Sequence, residues 1–191
     1  MAISKGAVVI AALIALAGSG CTQPDPNAKP TYACTPSEGG SPHPCYKAEH
    51  DLQVKEDKLY AEAEAVLRKF VAEEERINRI GGASEPTPIV RETLTGDYLN
   101  RASEGFRALK QAQATAEGGA FEIAWIERAP REARQGTIAT LKMCLDTSSV
   151  KMGSAGNKAR PGRITERTVF FVKDGDRLKI AQGRYQWVSQ C

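Results

Sequence analysis

Hydrophobic positions recur with two different periods along this chain, and the change of period divides it. From about Ala48 to Ile80, Leu59, Ala63, Val66, Leu67, Phe70, Val71 and Ile77 return at intervals of three and four residues. That spacing places them on one helix face. Glu62, Glu64, Lys69, Glu73 and Glu74 fall off the stripe, so a long amphipathic helix is predicted, with the Glu73-Glu74-Glu75 run as its exposed face. Gly81-Gly82 ends it, because glycine accepts the left-handed backbone that closes a helix. Pro86 and Pro88 mark a loop. Leu94, Tyr98, Leu99, Ala102, Phe106 and Leu109 form the apolar face of a second helical region, from about Ile89 to Ala116. It is broken near Thr95-Gly96-Asp97 and stopped by Gly118-Gly119.

Beyond residue 120 the period falls to two. Phe121, Ile123 and Trp125 alternate with Glu122, Ala124 and Ile126, a strand signal. Thr137 to Leu145 predicts a second strand, with Ala139, Leu141, Met143 and Leu145 on one face and Ile138, Thr140, Lys142 and Cys144 on the other. Residues 148–162 are polar, Gly-rich and basic, and predict a loop. Arg163 to Lys173 is a third strand. Lys173-Asp174-Gly175-Asp176 is a hairpin turn, because Asp-Gly accepts positive φ. Arg177 to Cys191 is the last strand, where Gly183 predicts a bulge or bend. Two helical regions followed by a four-strand meander define an α+β domain, with the helices covering one face of a curved antiparallel sheet.

The 191 residues leave room for one such domain and some extra chain. A formal charge of +3, with no basic run interleaved by aromatics, excludes a dedicated nucleic-acid binder. The helical half is net acidic and the strand half net basic. Lys151, Lys158, Arg160 and Arg163 suit either a surface for anionic headgroups or cell-wall polymer, or plain solvated positions. Their scatter over several elements favours the second. No apolar run reaches the roughly 18 residues of a spanning helix.

The N-terminus reads as an address. Lys5 precedes an apolar stretch from Ala7 to Ala17, the length of a signal-peptide core. Leu16-Ala17-Gly18-Ser19-Gly20-Cys21 then resembles a lipobox, although Gly18 departs from the commoner leucine. The resemblance implies cleavage before Cys21, acylation of its thiol, and anchoring on the outer face of the cytoplasmic membrane by buried acyl chains. Residues 1–20 are therefore expected to be a signal peptide. Residues 21–45 would be a Pro-rich tether with a disulfide loop, and residues 46–191 the folded domain.

With Cys21 acylated, four cysteines remain: Cys34, Cys45, Cys144 and Cys191. An even number in an exported chain reads as a disulfide framework with three connectivities. The short CTPSEGGSPHPC segment turns back on itself and favours Cys34 with Cys45, a closure worth about 3 kcal/mol. Cys144 would then pair with Cys191. In a plain meander those two lie on strands flanking the third, about 9.6 Å apart, beyond the roughly 7 Å that a bridge spans. Either the strand order differs or the last residues curl over the sheet. His43 and His50 do not recur at ligand spacing and no Cys-x-x-Cys is present, so neither a metal nor a cofactor is expected.

The order of a long helix, a shorter helical region and a bent sheet ending in KDGDRLKIAQGRYQWVSQC resembles the nuclear transport factor 2-like, cone-shaped fold. Within it, the Cys-Thr-Pro…Gly-Gly…Pro-Cys segment and the terminal cysteine are similar to small secreted or lipid-anchored proteins of high-GC Gram-positive bacteria. This fold serves enzymes, binders and scaffolds alike. Its catalytic members place an Asp, Tyr or His inside the cone, and no acid–base pair stands out here. The resemblance therefore implies an extracytoplasmic binding or scaffold domain without catalysis, which pairs through its sheet as a homodimer or meets a cell-surface protein. The alternative is a carrier or sensor of a small apolar ligand held in the cone by Phe121, Trp125, Phe170 and Trp187. An isomerase- or dehydratase-type enzyme is a third reading.

Overall fold

The computed structural model describes residues 29–36, 39–154 and 157–191. The expected signal peptide, the lipobox-like segment and Cys21 lie outside the described residues. A short hairpin, β1 (Tyr32–Cys34) with β2 (His43–Cys45), precedes α1 (Lys47–Arg79), α2 (Pro88–Thr93) and α3 (Gly96–Gln111). Then follow β3 (Thr115–Glu117), β4 (Glu122–Arg128), a 3-10 turn at Pro130–Glu132, β5 (Ala139–Asp146), β6 (Lys151–Ser154), β7 (Asn157–Pro161), β8 (Ile164–Asp174) and β9 (Arg177–Trp187). The main sheet has the order β4-β5-β8-β9, and β3-β6-β7 form a second, smaller one. Every strand pair is antiparallel, so the chain is α+β with a meander, as the periods predict.

The core forms where the two periods meet. Ala63, Leu67, Phe70, Val71 and Ile77 of α1 are buried against Leu141, Met143 and Leu145 of β5, Val169 and Phe171 of β8, and Leu178 and Ile180 of β9. Residues two apart on a strand share a face, which is why the β5 set predicted to face inward is the one that does. The junction between α2 and α3 rests on the edge of β9, where Thr95 N donates to Ile180 O at 3.0 Å.

The Glu73-Glu74-Glu75 run is not one exposed face. Successive helix residues turn by about 100°, so three in a row fan through about 200°. Glu73 is buried, Glu74 faces the sheet and Glu75 pairs with Arg79. Glu73 accepts from Arg76 Nε and Nη2, each at 2.7 Å, and from Thr87 Oγ1 at 2.6 Å. Thr87 in turn caps α2 by accepting from Val90 N. The Arg76 hydrogen bonds hold the Glu73 carboxyl below its ordinary range; burial opposes them, and Thr87 adds to them. We expect Glu73→Ala to cost about 2–3 kcal/mol at neutral pH. Because the folded pKa is depressed, that stabilisation is present above the unfolded carboxyl pKa and fades as pH falls through the folded one. Urea titrations at stepwise lower pH should therefore show the two proteins converging. A gap that persists unchanged into acid would mean that packing, not charge, holds this joint.

Five expectations are corrected. The second helical region ends at Gln111 rather than near Ala116: Gln113 takes φ 48°, Ala114 N returns to Leu109 O, and the chain enters β3. Gly118-Gly119 stops no helix. It lets the chain pass close over Ser149, with Arg79 donating to both glycine carbonyls. Residues 148–162 are a hairpin rather than a loop; β6 pairs with β3 through Ala116↔Met152, and Val150 at its base is fully buried. Strands of three to five residues show too little alternation to stand out from a polar background. The bulge in β9 falls at Ala181, where Phe170↔Gln182 gives way to Phe171↔Ile180, and not at Gly183. Last, β9 ends at Trp187 instead of running to Cys191.

Both disulfides join the expected partners, with Cα–Cα distances of 5.8 Å for Cys34–Cys45 and 5.7 Å for Cys144–Cys191. The strand order is the plain meander, so the second bridge depends on the tail. Val188 N still donates to Ile164 O at 3.2 Å, and the last residues then cross β8 to reach β5.

Candidate functional site

Helices α1 and α3 diverge from the sheet over the C-terminal half of β9 and leave a cleft of about 530 Å³. One wall is aromatic and aliphatic, from Phe70 on α1 and from Tyr98, Phe106 and Leu109 on α3. The floor is β8 and β9. Arg167 occupies a position on β8 that shares its face with Val169 and Phe171, so a guanidinium points where a core residue would. It cannot stay there unpaired. Its Nη1 donates to Glu74 Oε2 at 2.7 Å, and its Nε donates to Thr165 Oγ1 at 3.3 Å. The side chains of Arg167 and Glu74 are only 18% and 20% exposed. Burial works against the Arg167 charge, yet the adjacent Glu74 carboxylate outweighs it and raises the pKa.

Tyr98 closes one end. Its ring meets Phe70 edge-on at 6.2 Å and lies directly on Gly183, where an added Cβ would come within 2.7 Å of Cε2. That contact is why glycine stands in the middle of β9. Burial pushes the Tyr98 phenol up, and the Glu74 carboxylate adds to the effect. Arg101 sits exposed at the rim, 6.0 Å from the Tyr98 ring centre. Gly105 lines the same mouth with open space around its α-carbon.

Two other hollows are less suited. One of about 600 Å³ lies between α3 and the β6–β7 hairpin, with Lys158 and Arg160 at its exposed edge. The other, on the outer face of the main sheet, holds Lys142, Glu166, Glu132 and Arg184. These charges satisfy one another: Lys142 Nζ lies 3.2 Å from Glu166 and 3.6 Å from Glu132, and Arg184 also bonds Glu132.

The four aromatics expected to line the cone are not brought together. A bulge between Ile123 and Trp125 turns Ile123 and Ile126 toward the core and sets Trp125 opposite Cys144 on the other face. Phe121 is half-buried against the core. Phe170 is buried on the outer face beneath the Arg134 guanidinium, 4.3 Å from its ring centre. Trp187 is 64% exposed, with Arg163 stacked on it at 3.8 Å. Of the basic set, Lys151, Lys158 and Arg160 lie along the β6–β7 hairpin. Sequence reasoning missed Glu74, Arg101 and Arg167. Arg167 did leave a signal, as a cation at a core-facing step of the strongest strand.

Among the described residues, the thiol sulfurs of Cys34 and Cys45 and the Glu49 carboxylate lie within 4.8 Å of one another. The two sulfurs are bonded to each other, which removes them as thiolate ligands. No helix among the described residues is long and apolar enough to cross a membrane. The sequence matches no family model and no curated protein.

Proposed function

We propose that this chain is an exported, lipid-anchored binding domain of nuclear transport factor 2-like fold, acting without catalysis, with its ligand seat in the cleft between α1, α3 and the sheet. The cleft itself carries the reading: it sets an aromatic wall against a shielded Glu74–Arg167 pair, within the size range of small-molecule sites. Two disulfides suit an oxidising, extracytoplasmic setting. The lipobox-like segment supports acylation of Cys21, with the Pro-rich stretch after it as a tether. The Glu74 carboxylate is engaged by Arg167 and burial pushes the Tyr98 phenol up, which supports binding over catalysis. On the outer sheet face the charges are already paired within the chain, which favours the cleft over that face as the place of recognition.

Native mass spectrometry of protein extracted from membranes of exporting cells tests both halves. The expected spectrum shows cleavage before Cys21 with an added diacylglyceryl mass, and a small-molecule adduct. Cys21→Ser should remove the first. Gly105→Phe, whose Cβ meets no atom within 4 Å and whose ring would occupy the cleft mouth, should remove the second. An unprocessed chain would sink the anchor. The absence of any adduct, or one indifferent to Gly105→Phe, would sink the cleft.

A further inference from the structure

Resting on the cleft as a ligand seat, we propose that its ligand is an amphipathic monoanion: an apolar, ring-sized body bearing one acidic head such as a carboxylate or sulfonate. The hydrogen-bonding groups in the cleft are unbalanced. Arg167 commits Nη1 to Glu74 and Nε to Thr165, and its Nη2 faces no partner among the described residues. Among the described residues Arg101 pairs with no carboxylate and the Tyr98 hydroxyl meets no hydrogen-bond acceptor; their contacts there are those of the ring. Against these donors stands one carboxylate, Glu74, with an oxygen already given to Arg167. Arg184 at the far side is spoken for by Glu132. Two guanidiniums against one carboxylate leave the cleft one positive charge in excess.

Two features fix where the charge would sit. The Arg167–Glu74 pair is shielded and rigid, whereas Arg101 is exposed and sits at the rim. The acidic head therefore lies toward Tyr98 and Arg101, at the outer end. There it accepts from the Arg101 guanidinium beside the Tyr98 ring, a charge-assisted arrangement stronger than a neutral one. The body lies inward along Phe70, Phe106 and Leu109, where apolar area is removed from water. A neutral apolar ligand would leave the Tyr98 hydroxyl without its water and without an acceptor, which costs affinity. A dianion would exceed the one unit of charge that the cleft supplies.

Two dyes with a common body separate the head from the body. 8-Anilinonaphthalene-1-sulfonate and N-phenyl-1-naphthylamine share the anilinonaphthalene frame, and only the first carries a sulfonate. Both are titrated by fluorescence into residues 21–191 expressed without the preceding segment and carrying Cys21→Ser, so that no micelle absorbs them. We expect the sulfonate to bind at least about tenfold more tightly, and its affinity to fall as salt rises while that of the neutral dye holds. Arg101→Gln should cost the sulfonate about fivefold to tenfold and the neutral dye less than about twofold, a size typical of losing one solvent-exposed hydrogen bond. Arg101 is exposed, so this variant keeps the fold, which an unchanged melting curve verifies. Gly105→Phe should abolish both. Equal affinity for the two dyes, or a loss in Arg101→Gln shared by both, overturns the anionic ligand while leaving the cleft as the seat. Binding of neither dye, or binding that survives Gly105→Phe, overturns the cleft and the proposal with it.

Discussion

Replacing Cys144 and Cys191 together by alanine is expected to lower the unfolding free energy by about 4 kcal/mol. The bridge spans 47 residues, so cutting it frees a long loop of the unfolded chain. Loop-closure entropy grows with the logarithm of that length, which puts this bridge above the 11-residue Cys34–Cys45 closure, at about 3 kcal/mol. The folded state also loses something. Beyond Trp187 the tail makes one backbone bond to the described residues, Val188 to Ile164, before it reaches Cys144. Without the bridge the tail detaches, and with it goes the brace at the outer end of β9. Small domains are stable by only about 5–15 kcal/mol, so the loss is a large share of the total. Urea titrations of the wild type, the double variant and the matching Cys34/Cys45 variant would rank the two bridges. A cost below about 1 kcal/mol, or the reverse ranking, would show that the tail holds the sheet in some other way.

The second large effect is expected at the helix turn after α1. Gly81 and Gly82 both take positive φ, 78° and 90°. Their surroundings differ. A Cβ on Gly82 would stand 2.4 Å from Lys110 N and 2.4 Å from Phe106 O, both backbone atoms of α3. A Cβ on Gly81 would meet nothing nearer than 3.4 Å. Gly81→Ala should therefore cost about 1 kcal/mol, the strain of a left-handed alanine. Gly82→Ala adds overpacking against rigid backbone and should cost about 3–4 kcal/mol. It also pushes on the Ala83–Phe106 hydrogen bond, which ties the end of α1 to α3. Equal penalties at the two glycines would mean that α3 slides away freely.

Long, strongly periodic elements were legible. Helix α1, the apolar face of α3, the β5 alternation and the Asp174-Gly175 turn follow from spacing alone, and both disulfides follow from cysteine count and loop length. What spacing could not show lies where a local irregularity changes parity. One extra residue near Ala124 sent Trp125 to the other side of β4, and with it the expected aromatic lining. The cleft was hidden for a related reason. It is assembled from Glu74, Tyr98, Arg101 and Arg167, four residues on three elements, and only Tyr98 and Arg101, one helix turn apart, are near each other in the chain. A charge at a core-facing strand position, as at Arg167, is the kind of mark that a second pass through such a pattern can use.

The two bridges also impose a timetable on maturation. Cys34 and Cys45 stand close together near the start of the chain, so their thiols can meet as soon as that stretch emerges into an oxidising compartment. Cys144 must wait until β8 and β9 have docked and residues 188–191 have folded back over them. A reduced Cys144 alongside an oxidised Cys34–Cys45 pair is thus the natural late intermediate, and alkylation with mass mapping during oxidative refolding would catch it. Closure of the second bridge then acts as a completion mark, because it forms only on a chain whose sheet is already built.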